Sequence, residues 1–320
     1  MVLTLIWGAN FAVVKWGLDY LSPLAFNALR FPIGCVVLAG AALLIGPLPR
    51  PRRSDLPRLI ALGLLGNGIY QLLFIYGLDL TRAGNASLLL ATIPIWALLF
   101  SVVAREGTLD GKVFTGIGAT FTGMVLVVLG GAQEVALGGG SMLGDALMVL
   151  AAMSWAAYTV GSRGLILRYG SIPVTAWTLW IGAVVLIVVG IPDLFRTDWS
   201  AVPPGAWASV AFAGFLALGL AYLIWYRAVL QLGSARTAAY SNLIPVVALA
   251  IAWPMLGEVP TPLQLAGACV ILGGIVLVRR SARRAPAPRV PSGFPVRDAS
   301  LGEPATESAR TREGREQDSR

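Results

Sequence analysis

The sequence contains no histidine and only two cysteines in 320 residues. Without histidine, both the commonest metal ligand and the commonest general base are missing. Cys35 and Cys269 each fall in the middle of an apolar segment, where a thiol reads as a small buried hydrophobe rather than half of a disulfide or metal pair. Charge is scarce too. Asp, Glu, Lys and Arg make up 12% of the chain, against about 25% in a soluble domain, which leaves too little polar surface to coat a particle in water. No G-x-x-x-x-G-K-[ST] run occurs, so no phosphate-cradling loop is encoded. Nothing in the sequence asks for a metal or a cofactor.

What the chain has in quantity is apolar length. It is 57% hydrophobic, with a mean hydropathy of +0.76. Its apolar runs approach the roughly 20 residues that a helix needs to cross a bilayer. They are too long for barrel strands and lack strand alternation. The expectation is an all-α membrane protein of ten transmembrane helices, near 2–19, 23–46, 58–80, 83–104, 112–131, 143–163, 172–191, 205–230, 234–256 and 262–278.

Those helices are written twice. Tyr76 to Pro94 recurs as Tyr226 to Pro245, and Gly116 and Gly123 recur as Gly267 and Gly274. The prolines and both glycines share one offset of 151 residues, while Trp7 faces Trp155 at 148 and Pro23 faces Pro173 at 150. A five-helix unit ends on the opposite side of the membrane from its start, so its copy inserts upside down. Two inverted five-helix repeats follow: 1–131, a linker 132–142 and 143–280, with a polar tail 281–320. Inverted repeats are the architecture of many transporters.

The net charge of +8 does not point to nucleic acid, because ten of the 24 basic residues lie after Val278 and most others sit at helix ends. Basic residues at helix ends set membrane orientation. With the N-terminus in the cytoplasm, the inner side receives Arg50, Arg52, Arg53, Arg58, Arg105, Lys112, Arg163, Arg168, Arg227 and Arg236, and the outer side only Arg82 and Arg196. Arg279, Arg280, Arg283 and Arg284 then place the C-terminus inside as well. The tail, rich in Pro, Ser, Glu and Arg, is expected to be disordered in the cytoplasm. The start MVLTLIW lacks the basic region of a cleavable signal peptide. The first helix begins at Met1 with no lead-in, as it would if the assigned start lay a few residues downstream of the natural one.

A charge inside hydrocarbon is costly and marks a functional candidate. Lys15 lies roughly 6–8 Å and Arg30 roughly 11 Å in from the outer helix ends. They sit on the two arms of a hairpin, so both could serve an anionic group such as a substrate carboxylate. The competing reading has Lys15 snorkelling to the interface and Arg30 bonded to carbonyls or to Asp19. By the repeat, Lys15 aligns with Arg163 and Arg30 with Trp180, so the pair of charges is not duplicated. Asp79 reads as a local partner of Arg82, and Asp145 as an acid favoured at a helix N-terminus. Neither reads as a central proton relay. Uncharged candidates for a cavity lining are Trp7, Asn10, Phe11, Asn67, Tyr70, Gln71, Trp155, Tyr158, Trp177, Trp180 and Tyr222, with Asn85, Tyr240 and Asn242 at span edges. Stacking and a few hydrogen bonds there suit amphipathic metabolites, while interfacial belts and helix glue are the alternative uses of the same residue types. Pro94 and Pro245 are expected midway in their helices as paired kinks.

WGANFAVVK (7–15), LRF (29–31), the paired Ile-Pro helices and Gly257-Glu258 followed by TPLQLAGACVILGGIVLV (261–278) together resemble the EamA family of the drug/metabolite transporter superfamily. The resemblance spans about residues 1–280. It departs at AREGTLDG (104–111), which stands where the second copy has Gly-Glu and Thr-Pro. It implies ten helices, the inverted repeat and secondary transport, often efflux of amino acids, their metabolites, purines or drugs. The expected protein is a multi-pass inner-membrane exporter with both termini cytoplasmic and a small-molecule substrate. A passive channel or membrane sensor is the alternative, and an intramembrane enzyme a more distant one, since the spans hold no constellation of His, Cys, Asp and Glu.

Overall fold

A peptide group in lipid has no water to bond, so an apolar run closes its own hydrogen bonds as helix. The computed structural model describes residues 1–45, 48–104, 111–132, 140–225 and 243–282. Arg105, Tyr226, Arg227, Arg236, Tyr240, Asn242, Arg283, Arg284, most of the inter-repeat link and the tail from 283 lie outside them.

The described residues form helices joined by turns and loops, without strands. The helices are α1 (Val2–Leu18), α2 (Pro23–Ile45), α3 (Leu56–Gly63), α4 (Tyr70–Leu80), α5 (Ala83–Leu90), α6 (Ile93–Val103), α7 (Gly111–Ala132), α8 (Gly140–Tyr169), α9 (Ser171–Arg196), α10 (Pro204–Ala211), α11 (Ile244–Leu256) and α12 (Pro262–Ala282). Two π-helical segments interrupt them. Leu64–Ile69 joins α3 to α4, and Phe212–Leu220 follows α10. Six helical runs among the described residues are long and apolar enough to cross a membrane. Their outer surfaces agree: Val36 and Val184 are 72% and 61% exposed, apolar area that only lipid would cover without cost.

Several boundaries differ from the sequence expectation. α8 starts at Gly140 and runs to Tyr169, taking in the end of the expected linker and carrying Arg163 and Arg168 within the helix. α9 continues to Arg196. The fourth expected helix is two pieces. The chain turns at Ala91 and Thr92, and Pro94 is the second residue of α6, where its missing N–H would be unsatisfied anyway. Pro245 holds the same place in α11. Pro32, Pro192 and Pro254 lie inside helices. Cys269 is exposed rather than buried, and Cys35 is half-buried.

The tightest helix pair is α7 with α12. A Cβ on Gly123 would lie 2.8 Å from the Gly267 carbonyl, and one on Gly274 would lie 2.7 Å from the Gly116 carbonyl. As one helix ascends the other descends, so the pair is antiparallel and its backbones touch through hydrogen-only side chains. The residues that match by sequence offset thus meet crosswise. The π segments are placed alike: Leu64–Ile69 packs on α9 and Phe212–Leu220 on α2. At the end of α11, Gly257 adopts φ +69, a left-handed turn that side chains resist, and its amide closes on the Trp253 carbonyl at 2.9 Å.

Gly123→Leu, filling the α7–α12 contact, is expected to destabilise the protein by about 1–3 kcal/mol, as overpacking does. Gly118→Ala, on the same helix with open space around it, should be near neutral. Thermal unfolding in detergent measures both, and an unchanged midpoint for Gly123→Leu would show that the contact can relax.

Candidate functional site

Arg30 is the largest fully buried side chain among the described residues, 2% exposed. It sits one turn into α2 from Asn27. Its Nε donates to Asn27 Oδ1 at 2.9 Å and its Nη2 to Gln71 Oε1 at 2.8 Å. Asn27 Nδ2 in turn donates to the Gln71 carbonyl at 3.3 Å. The rings of Phe26, Phe31 and Phe74 each lie with centroids 5.6 Å from the guanidinium carbon, within cation–π range. The cation is therefore held by amide dipoles and ring faces. Neither a backbone carbonyl nor Asp19, the partners considered from sequence, supplies these bonds.

From Phe74 a chain of rings leads through the interior. Phe11 lies 5.9 Å and Tyr70 6.0 Å from Phe74, Tyr70 meets Trp155 at 4.8 Å, and Trp155 meets Tyr158 at 5.2 Å. Trp7 adds Tyr222 at 5.9 Å and anchors its indole N–H on the Ala217 carbonyl at 3.1 Å. The Tyr158 hydroxyl lies 3.0 Å from Thr178 Oγ1. The first group of rings draws on α1, α4 and α8 and the second on α1 and the stretch after α10, so both halves of the chain contribute to each. Asn10 faces the interior on α1 with Oδ1 buried and without a hydrogen-bond partner among the described residues. Asn67 is buried in its π segment, pressed against Gly182. Trp177 packs with Trp155 on the cluster of Leu59, Leu62, Tyr158, Leu165 and Val174, edge-on to Tyr169 at 5.3 Å. Trp180 is half-buried and makes no ring pair among the described residues.

Lys15 does not join Arg30. Its Nζ donates to the Asp79 carbonyl at 2.5 Å. Arg82, expected to pair with Asp79, donates to the Val259 carbonyl at 2.8 Å. The turn between α4 and α5 is in fact a meeting point that sequence reasoning passed over. Glu258, carried past the Gly257 turn, accepts from the amides of Ala83 and Gly84 at 2.8 and 3.1 Å, satisfying orphan donors at the start of α5. Asp145 accepts from Thr81 Oγ1 at 2.5 Å, and Gln264 Nε2 donates to Asn85 Oδ1 at 2.6 Å. The only signal in the sequence was the Gly257-Glu258 pair itself. The contacts of Asp145 span sixty residues or more.

The opposite end of the helices is tied as well. Arg168 Nη1 bridges both oxygens of Asp55 at 2.7 and 2.8 Å, and the Tyr169 hydroxyl donates to Asp55 at 2.5 Å. Arg58 reaches the Gly161 carbonyl at 2.7 Å. At the Asp145 end, Ser22 donates to Asp193 at 2.6 Å beside a shallow depression of about 390 Å³ that no interior ring lines. In the α9–α10 connection, the Ser200 hydroxyl and amide hold the Asp198 carboxyl below the usual range. Trp199 stacks on Trp207 there at 5.6 Å, as an interfacial belt would.

The model of the EamA-like transporter family matches residues 1–129 and 142–280. A probable terminal-alkyne amino-acid exporter of Streptantibioticus cattleyicolor is 32% identical over 284 residues, covering 88% of this chain and 92% of that one. A probable amino-acid metabolite efflux pump of Salmonella typhimurium is 28% identical over 302 residues, covering 88% and 96%. One solved structure superposes with a TM-score of 0.62 at 21% identity over 88% of this chain and 96% of its own, a likeness of fold alone. The chain belongs to the EamA-like transporter family: it is a multi-pass membrane transporter, not an enzyme.

Proposed function

We propose that this protein is a secondary transporter of ten spans, built as two inverted five-helix repeats, that exports small amphipathic metabolites across the inner membrane by alternating access. The observation that carries the reading is Arg30: a buried cation with neutral partners, set among Phe26, Phe31 and Phe74, the last of which leads through Tyr70 to Trp155 of the second half. A cation in that setting is poised for a carboxylate, because charge-assisted bidentate pairing exceeds what amide dipoles offer. The rings suit the apolar part of the same solute. The relatives' names, an amino-acid exporter and an amino-acid metabolite efflux pump, support that substrate class.

The crosswise Gly123–Gly267 and Gly116–Gly274 contacts support the inverted repeat, since exchanging the two halves maps one contact onto the other. The π segments support it too, each packing on the second helix of the opposite half. The excess of arginines at the Asp55 end supports a cytoplasmic place for that end, and with it for the start of α1 and the end of α12. Arg30 is nearly inaccessible in this conformation, so a solute reaches it only when one set of end ties parts. The Asp55–Arg168–Tyr169 cluster then serves as the inner closure and the α4–α5 turn as the outer one.

Counterflow in proteoliposomes tests the proposal. Saturable exchange of labelled phenylalanine is expected of a carrier, and linear, non-saturating flux would identify a channel instead. Arg30→Ala is expected to cut that exchange by about tenfold or more, equivalent to at least about 1.4 kcal/mol, with normal membrane expression; undiminished exchange would leave Arg30 a packing residue. Asp55→Asn is expected to loosen the inner closure. In a Cys35→Ala, Cys269→Ala background, maleimide should then label Tyr158→Cys several times faster in detergent, and an unchanged rate would count against the closure.

A further inference from the structure

We infer that Asn10 is a specificity-determining residue: its side-chain oxygen receives the ammonium of a solute whose carboxylate is held by Arg30. The site then selects zwitterions and discriminates against acids or amines that carry only one of the two groups. The inference rests on the transport reading proposed above and adds a second polar contact to it.

Asn10 Oδ1 is the one buried side-chain nitrogen or oxygen atom among the described residues that no hydrogen bond reaches. The residue as a whole is half-buried, but this oxygen is sealed. Burying an acceptor without a partner costs its hydration and returns nothing. The polar groups nearest along the chain are engaged elsewhere. Trp7 Nε1, one turn before Asn10, is on the Ala217 carbonyl, and Lys15 is on the Asp79 carbonyl.

The hairpin of α1 and α2 puts Asn10 and Arg30 at similar depth. Asn10 lies eight residues before Leu18 and Arg30 seven after Pro23, roughly 12 and roughly 10 Å from the turn that joins the helices. Asn10 shares its side of α1 with Trp7 and Gly17. A Cβ on Gly17 would strike Phe26, one of the three rings on the guanidinium, and Trp7 meets Tyr222 of the second half at 5.9 Å. Phe11, next to Asn10, meets Phe74, another ring on the guanidinium, at 5.9 Å. The orphan oxygen and the buried cation therefore border the same rings.

Arg30 commits Nε and Nη2 to Asn27 and Gln71, and its Nη1 makes no hydrogen bond among the described residues. A carboxylate takes that free edge by a charge-assisted bond. The ammonium of the same solute then needs an acceptor, and Asn10 Oδ1 serves without giving up a bond. The rings of Trp7 and Phe11 attract a cation as well. An acid without an ammonium leaves the Asn10 oxygen sealed and unpaired, the situation by which polar sites reject an analogue most strongly. An amine without a carboxylate meets the like charge of Arg30, which has no acidic partner among the described residues.

Binding of labelled phenylalanine to the full chain in detergent, competed by unlabelled analogues, reads the site directly. Hydrocinnamate lacks the ammonium and phenethylamine lacks the carboxylate. Each should need about tenfold or more the concentration of phenylalanine to compete on the native protein, as expected for one hydrogen bond to a charged group. Asn10→Leu should weaken phenylalanine by about the same factor and leave hydrocinnamate unchanged. It should not lower the thermal unfolding midpoint, since no bond within the protein is lost. Asn10→Gln, which keeps an amide oxygen, should restore part of the preference. Equal competition by phenylalanine and hydrocinnamate on the native protein overturns the inference. An equal loss of both ligands in Asn10→Leu overturns it too, leaving Asn10 a packing residue, as does the absence of phenylalanine binding. Binding with the expected preference but without exchange in proteoliposomes speaks against the transport reading alone.

Discussion

Hydrocarbon offers no hydrogen-bond partner, and the rest of this structure follows from that. A polar atom withdrawn from water must be answered from within the chain. Helices answer the backbone except at their ends, where a side chain has to take over. Glu258 does so for α5, and the left-handed turn at Gly257 is what lets it reach. The same demand explains why Arg30 gathers Asn27, Gln71 and three rings, and why Lys15 finds a carbonyl. Asn10 is the exception, its Oδ1 unanswered among the described residues beside the interior rings.

These answers are not spread evenly along the helices. They collect at the two ends and at one interior level, with glycine contacts and apolar packing between. Elements that can separate need bonds that water is able to replace, and helix ends are where water arrives. The middle of the α7–α12 pair, by contrast, is backbone against backbone and has no such exchange available. Rigid seams and replaceable ties therefore occupy different heights in the molecule.

Much of the helix pattern was legible from apolar length, and the repeat marked Gly116, Gly123, Gly267 and Gly274 as matched residues, though not that they meet one another. Of the site, the aromatic group around Phe11, Tyr70, Trp155 and Tyr222 was also legible, since large rings far from helix ends have few other uses. What sequence spacing hid was partnership across distance. Asp145 reads as an ordinary helix-start acid because its partners Thr81 and Asn85, the latter held by Gln264, lie 60 residues or more away. Arg82 reads as a partner of Asp79 because local spacing is all that a linear reading offers. Pro94 was placed inside a helix because apolarity runs unbroken through Ala91 and Thr92, where the backbone turns regardless.

The π segment at Leu64–Ile69 fits one more residue into its turn than an α-helix does. Side chains beyond it are therefore rotated by about 100° from where a continuous α-helix would aim them. Leu59 and Leu62 before it and Gln71 and Phe74 after it are all buried, on one side of the helix across that step. The segment works as a phase shifter: were it to tighten into regular α-helix, every side chain of α4 would turn together, and Gln71 would swing off Arg30 without any span having tilted.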